Sequence, residues 1–192
     1  MTLRTIICTL ALIATPVAFA ALKAGDAAPA FSAPASLAGK PFTYSLKESL
    51  AKGPVVVYFY PSAYTEGCNI QAHEFSTRAG QFAAAGATVI GVSLDSIERL
   101  NEFSADADYC AGKLAVASDG DGKIARAFGL QVSGVQRGAT DTRGKEIGHG
   151  FTERTTFVVR RDGTVLAAVG GVSPEANVAR ALELVQKLST SR

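Results

Sequence analysis

VVVYFYPSAYTEGC, Val55 to Cys68 in a chain of 192 residues, begins as an unbroken apolar, β-branched and aromatic run and ends on one cysteine. Val55 to Tyr60 has the pattern of a central strand covered on both faces. Pro61 stops it, and a few small and polar residues lead to Gly67, where the period changes. Ile70, Phe75, Ala79, Phe82 and Ala83 mark an approximately helical face that closes at Gly86. Strand, short loop and helix together place Cys68 in the first turn of the helix.

Working outward, "ATVIGVSL" (Ala87 to Leu94) reads as a second buried strand. Ser96 to about Asp106 reads as a helix capped by Ser96 or Asp95, with Ile97, Leu100 and Phe103 on one side. Leu114 to Ala117 is a short strand. Asp121 to Phe128 is a short helix stopped by Gly129, with Asp119 and Asp121 as caps at its start. Two β-rich runs, Thr155 to Arg160 and Thr164 to Val169, flank Arg161-Asp162-Gly163, a hairpin turn. Pro174 opens a last helix with Val178, Leu182, Val185 and Leu188 as its apolar stripe. Upstream, Leu22 to Leu46 is rich in Ala, Pro, Gly and Ser, an extended segment with a small hairpin around Gly39-Lys40. A helical turn follows over Ser45 to Lys52. Gln131 to Glu153 is Gly-rich and polar, and a loop that long signals function or unrecognised structure. No repeat or linker divides residues 21–192. The expectation is a single α/β domain with a mixed central sheet flanked by helices, its closing hairpin and helix those of a thioredoxin-like fold.

Residues 1–20 are different. Arg4 is the only charge before Lys23, Ile6 to Ala14 is uninterrupted and apolar, Pro16 breaks the run, and Ala18-Phe19-Ala20 offers a cleavage site. This is the pattern of a secretory signal peptide. A membrane anchor is the rival reading, but Ile6 to Leu22 is only 17 residues and contains Pro16. The mature chain is then exported, to the periplasm where the cell has one, with no membrane segment. Cys8 leaves with the leader, so Cys68 and Cys110 remain. Two cysteines are too few for a disulfide scaffold; a bridge between them is chemical rather than architectural. The formal net charge is +2, with 47% hydrophobic and 19% charged residues. With no basic stripe interleaved with aromatics, nucleic acid is not an expected partner.

A lone thiol at a helix start is favoured as thiolate by unpaired N–H groups and the helix dipole. An unperturbed thiol is only ~3% ionised at neutral pH. The dipole shifts that by about one pKa unit or slightly more, so a fixed cation must supply the rest. Arg154 is the candidate, immediately before the strand "TTFVV" that belongs beside Val55 to Tyr60. Its guanidinium stays charged and can donate to thiolate and substrate oxygen together. The Thr65 hydroxyl, three residues before Cys68, can reach backbone N–H groups or a bound oxygen. Pro61 removes a donor and stiffens the loop.

Pro61-x-x-x-Thr65-x-x-Cys68 after an apolar strand, with Arg154 before a late strand, resembles the peroxiredoxin active site. "VYFYPSAYTEGCNIQAHEF", "ATVIGVSLDSIERLNEF" and "ERTTFVVRRDGTV" are similar to the Q-type, or bacterioferritin-comigratory, subgroup, and the likeness runs from about Leu22 to Leu188. The resemblance implies a thiol-dependent peroxidase of hydrogen peroxide and organic hydroperoxides. Cys68 would be the peroxidatic cysteine, Thr65 and Arg154 would align the peroxide oxygens, and the N–H groups of Gly67 and Cys68 would assist. It implies no metal, no cofactor, an external thiol reductant (thioredoxin-like or a small thiol), and a monomer or weak homodimer. The chain departs from the subgroup at His73, where many members carry a second cysteine, and at Glu66, commonly Pro. Cys110 lies where some relatives carry the resolving cysteine. In that role it forms an intramolecular disulfide, which requires unwinding around 67–74 and 106–112; otherwise it is an idle buried thiol.

Other readings stay open at the level of residues. An exported thiol–disulfide oxidoreductase of the same fold lacks its Cys-x-x-Cys, and a non-catalytic redox sensor would not turn over. His73 and His149 lack metal-ligand spacing with the cysteines, and a Cys–His hydrolase lacks an evident orienting acid. His73 is expected on or near a helix surface, and Tyr58, Phe59 and Tyr60 in the core, with Tyr60 at the edge of the site.

Overall fold

The computed structural model describes residues 21–190; the leader expected over residues 1–20, and Cys8, lie outside them. Thirteen elements follow one another: β1 (Ser32–Leu37), β2 (Lys40–Ser45), α1 (Leu46–Lys52), β3 (Val55–Phe59), α2 (Glu66–Thr77), α3 (Ala79–Ala84), β4 (Thr88–Ser93), α4 (Ile97–Ala105), β5 (Ala115–Ser118), α5 (Lys123–Ala127), β6 (Thr155–Val159), β7 (Val165–Gly170) and α6 (Pro174–Thr190). The strands make one seven-stranded mixed sheet in the order β2-β1-β5-β4-β3-β6-β7.

β3 is the innermost part of this sheet. It runs parallel to β4 and antiparallel to β6, and every one of its residues is buried. Its side chains alternate between two cores. Val56 and Tyr58 pack with residues of α2, α3, α4 and α6 on one face, while Val55, Val57 and Phe59 pack with Leu46, Ala125 and Phe128 on the other. Full burial of such side chains contributes about 1.5–3 kcal/mol each. Tyr60, 1% exposed, stacks on Tyr58 at the exit of the strand, so it belongs to the core.

The leading segment forms the expected hairpin. Ala38 and Gly39, at φ 51° and 75°, are the two-residue turn whose left-handed backbone suits the twist of the strands. The later hairpin, β6–β7, turns through Asp162 and Gly163, with the Asp162 carboxylate accepting from Thr164 N–H at 2.9 Å.

Two expectations need correction. The helix read from Gly67 to Gly86 is two helices, α2 and α3, broken at Arg78. Ser76 and Thr77 hydroxyls donate back to the His73 and Glu74 carbonyls, competing with the helix ladder at the break. The face read from Ile70 is also wrong in part: Phe75 and Phe82 are buried as expected, but Ile70 is 37% exposed, and α2 buries Cys68, Asn69, Gln71, Ala72 and Ser76 beside Phe75. Five residues separate Ile70 from Phe75, which carries them to different sides of a helix. The buried side therefore holds a glutamine that hydropathy did not flag. Residues 131–153 are unrecognised structure in part: Val132 bridges Thr152, and Thr140 bridges Glu146 around a small hairpin. Among the described residues no helix is long and apolar enough to cross a membrane.

Candidate active site

β3 delivers Pro61 to Thr65 at its carboxyl end, and α2 begins at Glu66 with Thr65 as its N-cap residue. Cys68 sits in the first turn, 1% exposed. Antiparallel pairing of β3 with β6 puts Thr155 opposite Phe59, so Arg154, one residue earlier, projects beyond the same end of the sheet. Its Nη2 lies 3.5 Å from Cys68 Sγ, and its Nη1 donates to Gln71 Oε1 at 2.5 Å. Gln71 follows Cys68 by one helical turn, which is why both reach the one guanidinium. Gly67 makes room for it: a Cβ there would stand 3.0 Å from Arg154 Nη2.

Thr65 makes no side-chain cap bond; its hydroxyl donates to Ser62 O at 2.9 Å. With its proton committed, the hydroxyl oxygen has only acceptor capacity left. The Cys68 N–H is also committed, to Thr65 O at 2.9 Å, so it does not serve as a free oxyanion donor. Pro61 is half-buried at the exit of β3.

The loop carrying these residues is held from behind. Asp95, fully buried after β4, accepts from Ala63 N–H at 2.7 Å, Ser62 Oγ at 2.9 Å and Ser93 Oγ at 2.7 Å. His149 Nε2–H donates to the same carboxylate at 2.9 Å, and its Nδ1–H to Gly150 O at 2.7 Å. Two acceptor-only partners suit an imidazolium. Burial pushes the His149 pKa down, but Asp95 and the carbonyl outweigh it and the net shift is upward. Burial pushes Asp95 up; His149, the Ala63 amide and Ser93 outweigh it and hold the carboxyl below its usual range. Arg99 Nη2 bridges Ala63 O and Asp141 Oδ2, both at 2.8 Å, and Arg143 covers the Tyr64 ring 3.2 Å from its centroid. The 131–153 segment is thus fastened onto the cysteine loop.

Cys110 lies in the turn after α4, fully buried, in the same apolar core as Cys68; both thiols are free. Burial, with Asp106 adding to it, pushes its pKa far up, so in this conformation it is a protonated, weak nucleophile. Its turn contains Ala111 at φ 51° and Gly112 at 66°. His73 is exposed and donates from Nδ1 to Asp108 O at 2.9 Å, tying α2 to that turn. Neither histidine neighbours Cys68 in a catalytic pair.

The structure therefore brings Arg154 to Cys68, with Pro61 and Thr65 in the loop that leads into α2, and leaves Cys110 without solvent access in the turn after α4. Sequence reasoning missed Gln71, for which the three-residue offset from Cys68 was a signal, and the Asp95–His149–Arg99 clamp, in which the i,i+4 spacing of Asp95 and Arg99 was a local signal and the His149 contact, 54 residues away, had none.

The family described as AhpC/TSA matches residues 24–168. Peroxiredoxin Bcp of Xanthomonas campestris is 31% identical over 147 residues, 72% of this chain and 78% of that protein. The crystal structure of peroxidoxin BcpB from Mycobacterium tuberculosis superposes with a TM-score of 0.72 at 29% identity, covering 87% of this chain and 98% of that one. A structure of the bacterioferritin comigratory protein of X. campestris, studied for its alkyl peroxide reduction activity, gives 0.64 at 28% identity over 81% of this chain and 91% of the other. With a lone cysteine under an arginine at the helix start, on a thioredoxin-like mixed sheet, the chain belongs to the AhpC/TSA family as a peroxiredoxin enzyme of the Q-type, or Bcp, group.

Proposed function

We propose that Cys68 is the peroxidatic cysteine and that hydrogen peroxide and organic hydroperoxides are its substrates. The observation that carries this is Arg154 Nη2, 3.5 Å from Cys68 Sγ and steadied by Gln71. The thiolate attacks the outer oxygen of ROOH, the O–O bond breaks, and Cys68 becomes a sulfenic acid while RO⁻ leaves and takes a proton as water or alcohol. Thr65 accepts from the hydroperoxide O–H, and Arg154 stabilises charge spread over sulfur and both oxygens. Pro61 keeps a competing donor out of the loop. Activity on organic hydroperoxides has support in the alkyl peroxide reduction described for the X. campestris relative.

Cys110 then acts as resolving cysteine: its thiolate displaces hydroxide from the sulfenic acid, giving an intramolecular disulfide and water. A thiol that is sealed and protonated cannot attack, so this step follows opening of the 106–112 turn and of the start of α2. Two electrons from an external dithiol or two small thiols reduce the bridge. The working protein is the mature 21–192 domain, exported after loss of the leader, as a monomer or weak homodimer.

The test is peroxide consumption by wild type and Cys68→Ser, with mass spectrometry of non-reduced protein after one equivalent of peroxide. Loss of turnover in Cys68→Ser and a Cys68–Cys110 bridge in wild type are expected. Equal consumption by both proteins overturns the assignment of Cys68, and sulfenic Cys68 beside a free Cys110 thiol overturns that of Cys110.

A further inference from the structure

Asn177 lies in the first turns of α6, fully buried beside Val178 and Ala181. An asparagine is a poor helix-interior residue, and a buried amide needs partners at both ends. Asn177 has them. Its Nδ2 donates to Val169 O at 2.8 Å, and its Oδ1 accepts from Thr156 Oγ at 2.5 Å and from Gln71 Nε2 at 3.0 Å. Val169 and Thr156 are cross-strand partners in the β6–β7 ladder.

The donor sense of this chain is determined from one end. A backbone carbonyl only accepts, so the Asn177 nitrogen must face Val169 and its oxygen must face Gln71. Gln71 then presents its NH2 to Asn177, which turns its own oxygen to Arg154 Nη1. We infer that Asn177 is a positioning residue for the peroxidase reaction: through Gln71 it transmits the polarity of the β7 backbone to the guanidinium beside Cys68. The inference rests on the reading of Cys68 as the reacting thiol.

Reversal of the Gln71 amide would set its NH2 against the donors of Arg154. Gln71 and Asn177 are both 0% exposed, so solvent does not make good such a mismatch. The guanidinium would have to leave, and its slot is narrow. Gly67 borders it closely: a Cβ there would fall 3.0 Å from Nη2 and 3.5 Å from Pro174 Cγ. A small displacement there takes the cation off the sulfur.

The experiment measures the rate of Cys68 oxidation by hydrogen peroxide under single-turnover conditions, in a Cys110→Ser parent. Asn177→Leu is expected to slow it about tenfold or more, in line with what slight misplacement of a reacting group does. Adding Gln71→Glu is expected to bring the rate back to within about threefold of the parent, because both carboxylate oxygens accept and the direction of the group no longer matters. An unchanged rate in Asn177→Leu overturns the inference. So does a double variant as slow as the single one, which is the result of a merely structural role. Should Asn177→Leu fail to fold, nitrogen-15 spectra of the folded parent decide: a Gln71 side-chain amide protected from exchange is expected, and one exchanging at the solvent rate overturns it. A parent in which Cys68 is not oxidised at all would instead sink the assignment of the thiol.

Discussion

Arg154 holds an acceptor and a sulfur at once, and only a planar fork does that. Nη1 is committed to Gln71 and Nη2 points at Sγ. A lysine ammonium is a point charge on a flexible stem and would settle on one partner or the other. Arg154→Lys should therefore keep the fold and lose about a hundredfold in kcat/KM for hydrogen peroxide, the size of loss seen when one transition-state donor is misplaced. Steady-state assays with a circular-dichroism melt check this; activity within a factor of about three would mean charge alone suffices. Thr65 offers a parallel case at the same scale. Its hydroxyl proton goes to Ser62 O, so what it brings to the site is an acceptor. Thr65→Ser keeps that acceptor and should keep most activity, whereas Thr65→Val should lose it without lowering the melting temperature appreciably.

In the resolving role proposed for Cys110, the turn between α4 and β5 has to open before the second thiol can react. Ala111 adopts φ 51°, which disfavours a residue with a Cβ by about 1–2 kcal/mol. Ala111→Gly relieves that strain in the closed turn and should stabilise the protein by about 1 kcal/mol. Because opening must then overcome the added stability, bridge formation between Cys68 and Cys110 should slow about fivefold while the first oxidation of Cys68 is unchanged. Quenched-flow mass spectrometry separates the two steps; a higher melting point with an unchanged bridging rate would show that this turn does not open. Elements like this one also mark what the sequence could disclose. β3, β4, the β6–β7 hairpin and α6 were legible because each carries a period and punctuation of its own. Cys68, Thr65, Pro61 and Arg154 were legible because a strand end fixes where they project. The break at Arg78 was not, since it depends on hydroxyls returning to carbonyls rather than on a breaker residue. Nor was Asn177, a polar residue within an apolar stripe, whose partners lie 8, 21 and 106 residues away.

Across the whole molecule the Asp95–His149 pair joins the sheet, the cysteine loop and the 131–153 segment. Asp95 is also faced by Arg99, whose Nε lies 2.9 Å from Oδ1, and Arg99 and Arg143 meet Asp141. His149 has a folded pKa raised above its ordinary 6.5, so its contribution to stability is fully present below that pH and is lost as pH rises through the raised value. Asp95 has a folded pKa below its ordinary 3.8, so its contribution is present above that pH and is lost as pH falls through the depressed value. Between the two ordinary values both groups are charged and the clamp is complete. Denaturant unfolding of wild type should therefore show a plateau across that interval and a decline on the alkaline side that begins above about 6.5. His149→Gln places a neutral amide on Asp95; it should be less stable on the plateau and lose that alkaline decline, converging with wild type once the histidine is neutral. The acid-side fall should survive in it, because Asp95 keeps Ala63, Ser62, Ser93 and Arg99. A wild-type curve that is flat from about 6.5 to 9 would mean that folding does not favour a charged His149, and that the 131–153 segment is held by its other contacts, among them Arg99 and Arg143 on Asp141 and Thr142 on Tyr64 O.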